Sequence, residues 1–227
     1  MSAQLAIETS QRQASIALGR GDDVIESRDL PQLKRHNLEL MPTIDALLRD
    51  HDLSPADLAE VYLSVGPGSF TGLRVAVATA KLLAFALPDL RLIAVPTLDI
   101  LAAQAPADVP HVAACLNTKA DTVYAAIYTP PTPQSPNRQI AKPPNLTSLP
   151  ALLADAPPGT ALLGNPLPEH DLPNPTLDRA LALPRAATVY RLGRRLAEAG
   201  QFVGPHELMP IYAREPEAVS LWKQRHG

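Results

Sequence analysis

The sequence predicts an α/β protein made of two successive sets of strands and helices. Three observations carry that expectation. An apolar run over residues 61–65 meets a glycine-rich turn and then an alanine-rich run over residues 75–87, which makes a strand–turn–helix junction. Strand-like and helix-like runs alternate on both sides of it. The stretch Gln104-Ala-Pro-Ala-Asp-Val-Pro110 reads as a linker, after which the strand pattern restarts.

In chain order, residues 3–9 and 13–18 are strand-like around the polar turn Ser10-Gln11-Arg12, and residues 23–28 form a weaker third strand. The chain therefore opens as a β-meander. A helix is expected over residues 35–49, because Leu38, Met41, Ile44 and Leu48 recur at helical spacing and Leu40 and Leu47 widen the face. Pro42 falls inside it and should bend it or remove a hydrogen bond. Residues 91–95 read as a strand and 97–104 as a helix. Beyond the linker, residues 111–116, 122–128 and 160–163 are strands, the last ending at Gly164, and residues 187–199 form a helix closed by Gly200. Many of the 25 prolines lie between Pro130 and Pro175, which predicts loops and short elements there. No sequence repeat relates the two halves.

The chain's 227 residues suit one long domain or two short ones, and its net charge of −3 provides no global basic field for nucleic acid or anionic membrane. A single cysteine, Cys115, excludes an internal disulfide and fits a reducing, cytoplasmic setting. No signal-peptide pattern opens the chain, and no run of about 18 apolar residues predicts a membrane span.

The junction itself, Gly66-Pro-Gly-Ser-Phe-Thr-Gly-Leu-Arg74, raises the question of a phosphate site. Its spacing matches neither the dinucleotide fingerprint, whose third glycine would come one residue earlier, nor a Walker loop, which ends in Gly-Lys-Ser/Thr. Two readings remain. Gly66, Gly68, Ser69 and Thr71 either form a structural turn with Ser69 as cap, or contact an anion at the helix N-terminus. The helix that follows is apolar nearly all round: only Thr71, Arg74, Ala78 and Lys81 share a narrow polar stripe. Together with the 35–49 helix it is either buried within one domain or presents an association surface, which at standard size would bury about 800 Å² per partner.

Local chemistry is sparse. The six histidines include no pair at i, i+3 or i, i+4, so no local metal motif exists. Cys115 has no Cys-x-x-Cys partner, and Ser69 is not in a nucleophile elbow. Glu8, Thr9 and Ser10 end the first strand, where they either cap the turn or face a nucleotide–metal complex.

Glu8-Thr9-Ser10, Arg35-His36-Asn37-Leu38-Glu39-Leu40-Met41-Pro42, the Gly66–Arg74 motif and Ala78-Thr-Ala-Lys81 occur in that order, and Asn117-Thr-Lys119 with Val123-Tyr124, Gly164-Asn165 and Pro210-Ile-Tyr-Ala-Arg214 follow. This series resembles the TsaB (YeaZ) family, densely over residues 5–104 and thinly afterwards. The resemblance implies an actin/Hsp70/sugar-kinase-like (ASKHA) fold of two ribonuclease-H-like lobes: residues 1–105 with the interface helices, and a smaller, Pro-rich lobe over residues 106–227. It implies a non-catalytic scaffold of the complex that makes N6-threonylcarbamoyladenosine at position 37 of tRNAs reading ANN codons. Its partners would be the catalytic subunit TsaD and the ATPase TsaE, with a homodimer in isolation and tRNA contacted only indirectly. ATP and metal would reside in the partner subunits, with no cofactor bound by this chain alone.

The partner interface would comprise His36, Leu40, Met41, Ile44, Leu47, Gly72, Arg74, Val75, Ala76, Thr79 and Leu82. Glu8, Thr9 and Ser10 would be a vestigial nucleotide site. The paralogue TsaD carries a His-x-x-x-His metal motif at the place occupied here by Pro96 to Ala103, which holds no histidine. Glu8 and Asn117 stand where the family usually has Asp, and the extra methylene of Glu8 moves its carboxylate about 1.5 Å. The alternative function is an ATP-dependent phosphotransferase or a glycoprotease-like metallopeptidase of the same superfamily. Direct tRNA binding is disfavoured by the net charge.

Overall fold

The computed structural model describes residues 2–30, 36–118, 122–132, 135–154, 156–164, 167, 174–214 and 222. Two mixed sheets form its centre. The first contains β1 (Ala3–Glu8), β2 (Ser15–Arg20), β3 (Asp23–Asp29), β4 (Leu58–Gly66) and β5 (Arg91–Pro96) in the order β3-β2-β1-β4-β5. Neighbours in the β1–β3 meander are antiparallel, whereas β4 runs parallel to both β1 and β5. The second contains β6 (His111–Asn117), β7 (Thr122–Tyr128), β8 (Ile140–Ser148) and β9 (Thr160–Gly164) in the order β8-β7-β6-β9, again antiparallel except for the β6–β9 pair. The second sheet thus repeats the first four positions of the first and, among the described residues, lacks a counterpart of β5. This is the ASKHA arrangement of two ribonuclease-H-like lobes, with the second lobe one strand smaller.

Every residue of β1 is buried, which requires cover on both faces of the first sheet. Leu5, Ile7, Ile16, Leu18 and Leu63 point to one face and pack against α1 (His36–Arg49) and α2 (Phe70–Ala86). Ala6, Ala17, Tyr62 and Ile93 point to the other, against α5 (Ala186–Glu198). The small side chains of Ala6 and Ala17, paired in register, leave room for α5. So does Gly193, where a Cβ would sit 2.4 Å from the Tyr62 ring. Although α5 belongs to the second half of the sequence, it closes the first sheet. α3 (Thr97–Gln104) leads from β5 to the second sheet, where Leu98 and Leu101 join Val112 and Ala114. The short α4 (Leu149–Leu153) covers the opposite face through Leu149 and Leu152.

α1 contains Pro42, as the sequence expects, and beside it the Thr43 hydroxyl donates to the Glu39 carbonyl at 2.7 Å. One local feature departs from the sequence expectations: β8, a strand of nine residues, passes through Pro143 and Pro144, where loops and short elements were expected. It is an edge strand, and one side of its backbone needs no donor for a ladder. Among the described residues, no helix is long and apolar enough to cross a membrane.

Candidate functional site

The glycine turn joins β4 to α2 and is pinned to the end of β1. The Ser69 N–H donates to the Ser10 carbonyl at 2.6 Å, and the Ser69 hydroxyl caps α2 by accepting from the Gly72 N–H at 3.2 Å. A Cβ at Gly68 would lie 2.2 Å from the Ser10 carbonyl oxygen, so only glycine allows this approach. Gly66 adopts φ +107°, a conformation that an L side chain rarely takes. Gly66, Gly68 and Ser69 therefore have structural roles, while Thr71 is exposed on the first helical turn.

The turn borders a cleft of about 650 Å³ between the two lobes. Ser10, Arg12, Ser69, Asn117, Thr118 and Arg214 are among its lining residues, which include two guanidiniums and, among the described residues, no carboxylate. Of the three residues at the end of β1, only Ser10 lines this cleft. Glu8 is fully buried beneath it: one carboxylate oxygen accepts the Ser10 N–H and the other has no partner among the described residues. Burial pushes the Glu8 carboxyl above the ordinary carboxylate range, against hydrogen bonds from Ser10 and Ser64 that pull it down. The Thr9 hydroxyl is committed to the Gly72 carbonyl at 2.8 Å. No group of three His, Cys, Asp or Glu residues that could hold a metal stands together among the described residues.

The two helices divide the expected interface residues into two groups. Leu40, Ile44, Leu47, Gly72, Ala76 and Thr79 are buried within the chain itself, because α1 and α2 pack on each other and on the sheet. In the isolated chain these six residues therefore form no outer surface, contrary to the exposed placement that an interface role would require of them. Met41, Arg74 and Leu82 face outward and Val75 is half-buried. The His36 side chain lies outside the described residues.

The outward face carries apolar groups that sequence reasoning missed. Phe70 is 42% exposed and Phe85 61%, beside Leu82 at 69% and Met41 at 46%. The signal was present, since Phe85 lies seven residues after Ala78 and so falls in the stripe expected to be polar. A groove of about 400 Å³ between the helices is lined chiefly by Met41, Pro42, Ile44, Leu48 and Leu83.

A C-terminal segment runs along α2 as a strap. His206 meets the Phe85 ring near the helix C-terminus and Tyr212 meets Phe70 at its N-terminus, with centroid distances of 5.6 and 5.2 Å. Extended chain from 206 to 212 spans about 20 Å, which matches the length of α2 between those two rings. Leu208 is buried in the core with α1 and α2, and the Ile211 N–H donates to the Val65 carbonyl at 2.7 Å. Arg74 joins the clasp: its Nε donates to the Tyr212 hydroxyl at 3.2 Å and its guanidinium lies 3.7 Å over the Phe70 ring.

The comparisons with known proteins agree with one another. The family model for TsaD, tRNA N6-adenosine threonylcarbamoyltransferase, matches residues 29–162. The tRNA threonylcarbamoyladenosine biosynthesis protein TsaB of Bacillus subtilis is 37% identical over 124 residues, 55% of this chain and 54% of that protein. The chain thus spans about half the length of this curated TsaB relative. An uncharacterized protein of Mycobacterium tuberculosis is 30% identical over 224 residues, 97% of this chain and 96% of its own length. The structure of YeaZ from Pseudomonas aeruginosa superposes with a TM-score of 0.77 at 26% identity, covering 93% of this chain and all of that one.

Proposed function

Because the chain belongs to the TsaB (YeaZ) branch of the TsaD family, we propose that it is a non-catalytic subunit in the biosynthesis of N6-threonylcarbamoyladenosine at position 37 of tRNAs reading ANN codons. It acts in the cytoplasm by binding and supporting the catalytic subunit TsaD, with the ATPase TsaE joining the pair. The observation that carries this reading is the exposure of four large apolar side chains on the packed pair α1 and α2: Met41, Phe70, Leu82 and Phe85. Large apolar side chains left exposed on a pair of packed helices favour a protein partner over solvent. A partner with equivalent helices, as expected of a paralogue, fits this face in a pseudo-symmetric helix–helix contact. The same patch allows a homodimer when TsaD is absent, since an isologous contact uses one surface twice.

The non-catalytic part of the reading draws support from Pro96 to Ala103, where no histidine stands at the paralogue's metal-motif position. It also draws support from Glu8, whose carboxylate is enclosed beneath the cleft. The deciding experiment is size-exclusion chromatography of the purified chain with TsaD from the same organism. A co-eluting complex that is lost in Leu82→Asp or Phe85→Asp supports the proposal. Absence of any complex, or a complex indifferent to both substitutions, refutes it.

A further inference from the structure

A second recess lies on the sheet face opposite α1 and α2. A groove of about 360 Å³ is bordered by Val95, Asp99, Tyr128, Arg138 and Arg195. An adjoining recess of about 180 Å³ shares Arg138 and Arg195 and adds Arg191. Arg138 comes from the β7–β8 connection in the second lobe, whereas Arg191 and Arg195 are one turn apart on α5, which packs on the first lobe. The fold thus brings three guanidiniums from two lobes to one depression.

None of the three has a carboxylate within ion-pairing distance among the described residues. Arg138 is nearly buried and donates to three carbonyls, those of Thr129, Pro106 and Val109, at 3.2, 2.6 and 2.9 Å. Asp108 acts on it only through space. Arg195 donates to the Asn137 side chain, and Arg191 to the Ala187 carbonyl and the Thr188 hydroxyl at 3.2 and 3.4 Å. By contrast, Arg28, Arg49, Arg91, Arg185 and Arg194 each pair with a carboxylate. Like charges at i, i+4 repel on a helix, so Arg191 and Arg195 gain from an anion between them.

The carboxylate bordering this depression is Asp99. It accepts the Tyr128 hydroxyl at 2.6 Å, which engages one of its oxygens within the protein. Guanidiniums with uncommitted N–H groups match phosphate oxygens in geometry as well as charge.

We propose that this groove binds the phosphate backbone of an RNA, on the face opposite the α1–α2 surface, so that one chain can hold RNA and a protein partner together. The inference rests on the tRNA-modification reading above. It requires only a local basic site, because fields beyond roughly 10 Å are screened at ordinary ionic strength and the net charge of −3 is spread over the whole chain.

The test measures binding of the purified full chain to a fluorescent, unmodified tRNA reading an ANN codon, between about 50 and 200 mM salt. Binding should weaken with salt. Arg191→Glu with Arg195→Glu should weaken it about tenfold or more and reduce the slope of log K against log salt by about two, near one per guanidinium. Arg191→Gln with Arg195→Gln should act in the same direction, which covers the case of a misfolded reversal variant. Arg49→Glu, on α1, should change neither quantity. Unchanged affinity and slope in both double variants overturn the proposal. So does binding of inorganic phosphate or ATP without binding of tRNA. TsaD pairing is scored on the same variants. Pairing that persists while wild-type chain fails to bind tRNA removes the groove proposal alone, whereas loss of pairing by wild-type chain removes the reading beneath it.

Discussion

Thr9 and Gly72 lock the start of α2 to the end of β1. The Thr9 hydroxyl donates to the Gly72 carbonyl at 2.8 Å, and a Cβ at Gly72 would sit 2.0 Å from the Thr9 carbonyl oxygen. Two effects oppose each other in Gly72→Ala. Helix propensity favours alanine by about 1 kcal/mol. The clash is with backbone rather than a flexible side chain, and overpacking of this kind costs about 1–3 kcal/mol, occasionally more. The clash should win, giving a lower urea midpoint at unchanged m-value. A midpoint equal to or above wild type would show that α2 can shift away from β1 at little cost.

Glu8 ties stability to pH. Its folded pKa lies above the ordinary 4.5, so the native state holds a proton that the unfolded chain releases. Stability therefore falls as pH rises from near 4.5 through the folded value. Glu8→Gln keeps an oxygen for the Ser10 N–H and removes the buried charge. Its thermal midpoint should exceed wild type at about pH 8, and the gap should shrink toward pH 4.5. A gap independent of pH would contradict the burial-driven shift.

The helical surface separates two kinds of residue. Leu82→Asp replaces an exposed side chain and should change stability by no more than about 0.5 kcal/mol, while Phe85→Asp also loses its ring contact with His206; both should abolish TsaD pairing. Leu40→Ala empties a buried site and should cost about 2–5 kcal/mol. Denaturant titration combined with size exclusion distinguishes them. If Leu82→Asp unfolds the chain, that side chain has a core role that its exposure does not indicate.

The strap depends on one anchor. Leu208 is fully buried, and Leu208→Ala should lower stability by about 2–5 kcal/mol. Amide exchange from His206 to Tyr212 should accelerate, because the Ile211 N–H to Val65 bond loses its nearest packed support. Exchange at wild-type rates throughout that segment would mean that the Tyr212–Phe70 clasp suffices alone.

Cys115 is buried in the second sheet, and desolvation pushes its thiol up to about 12. A thiol-specific reagent near neutral pH should label it only on unfolding. Fast labelling of the native chain would show that the second lobe opens readily.

Much of the first lobe was legible in local chemistry. The meander followed from strand-like runs around Ser10-Gln11-Arg12 and a weaker third run over residues 23–28. The helix after the glycine turn followed from its alanines and from Ser69 as cap. β8 was not legible, since Pro143 and Pro144 read as breakers and only its edge position accommodates them. Helical periodicity placed Leu40, Ile44 and Leu47 on an apolar face, but it does not say whether that face meets the chain's own sheet or another protein.

The sequence by itself determined the order of strands and helices in the first lobe, the glycine junction and the family, because these rest on residues close together in the chain. Only the tertiary structure decided what each face meets. It buried Leu40 and Ala76 and left Leu82 and Phe85 outside, laid residues 206–212 along α2, and brought Arg138 to Arg191 and Arg195. Those outcomes depend on how two sheets and their covering helices share a limited volume, and contacts between residues fifty or more positions apart are set by that packing rather than by local sequence.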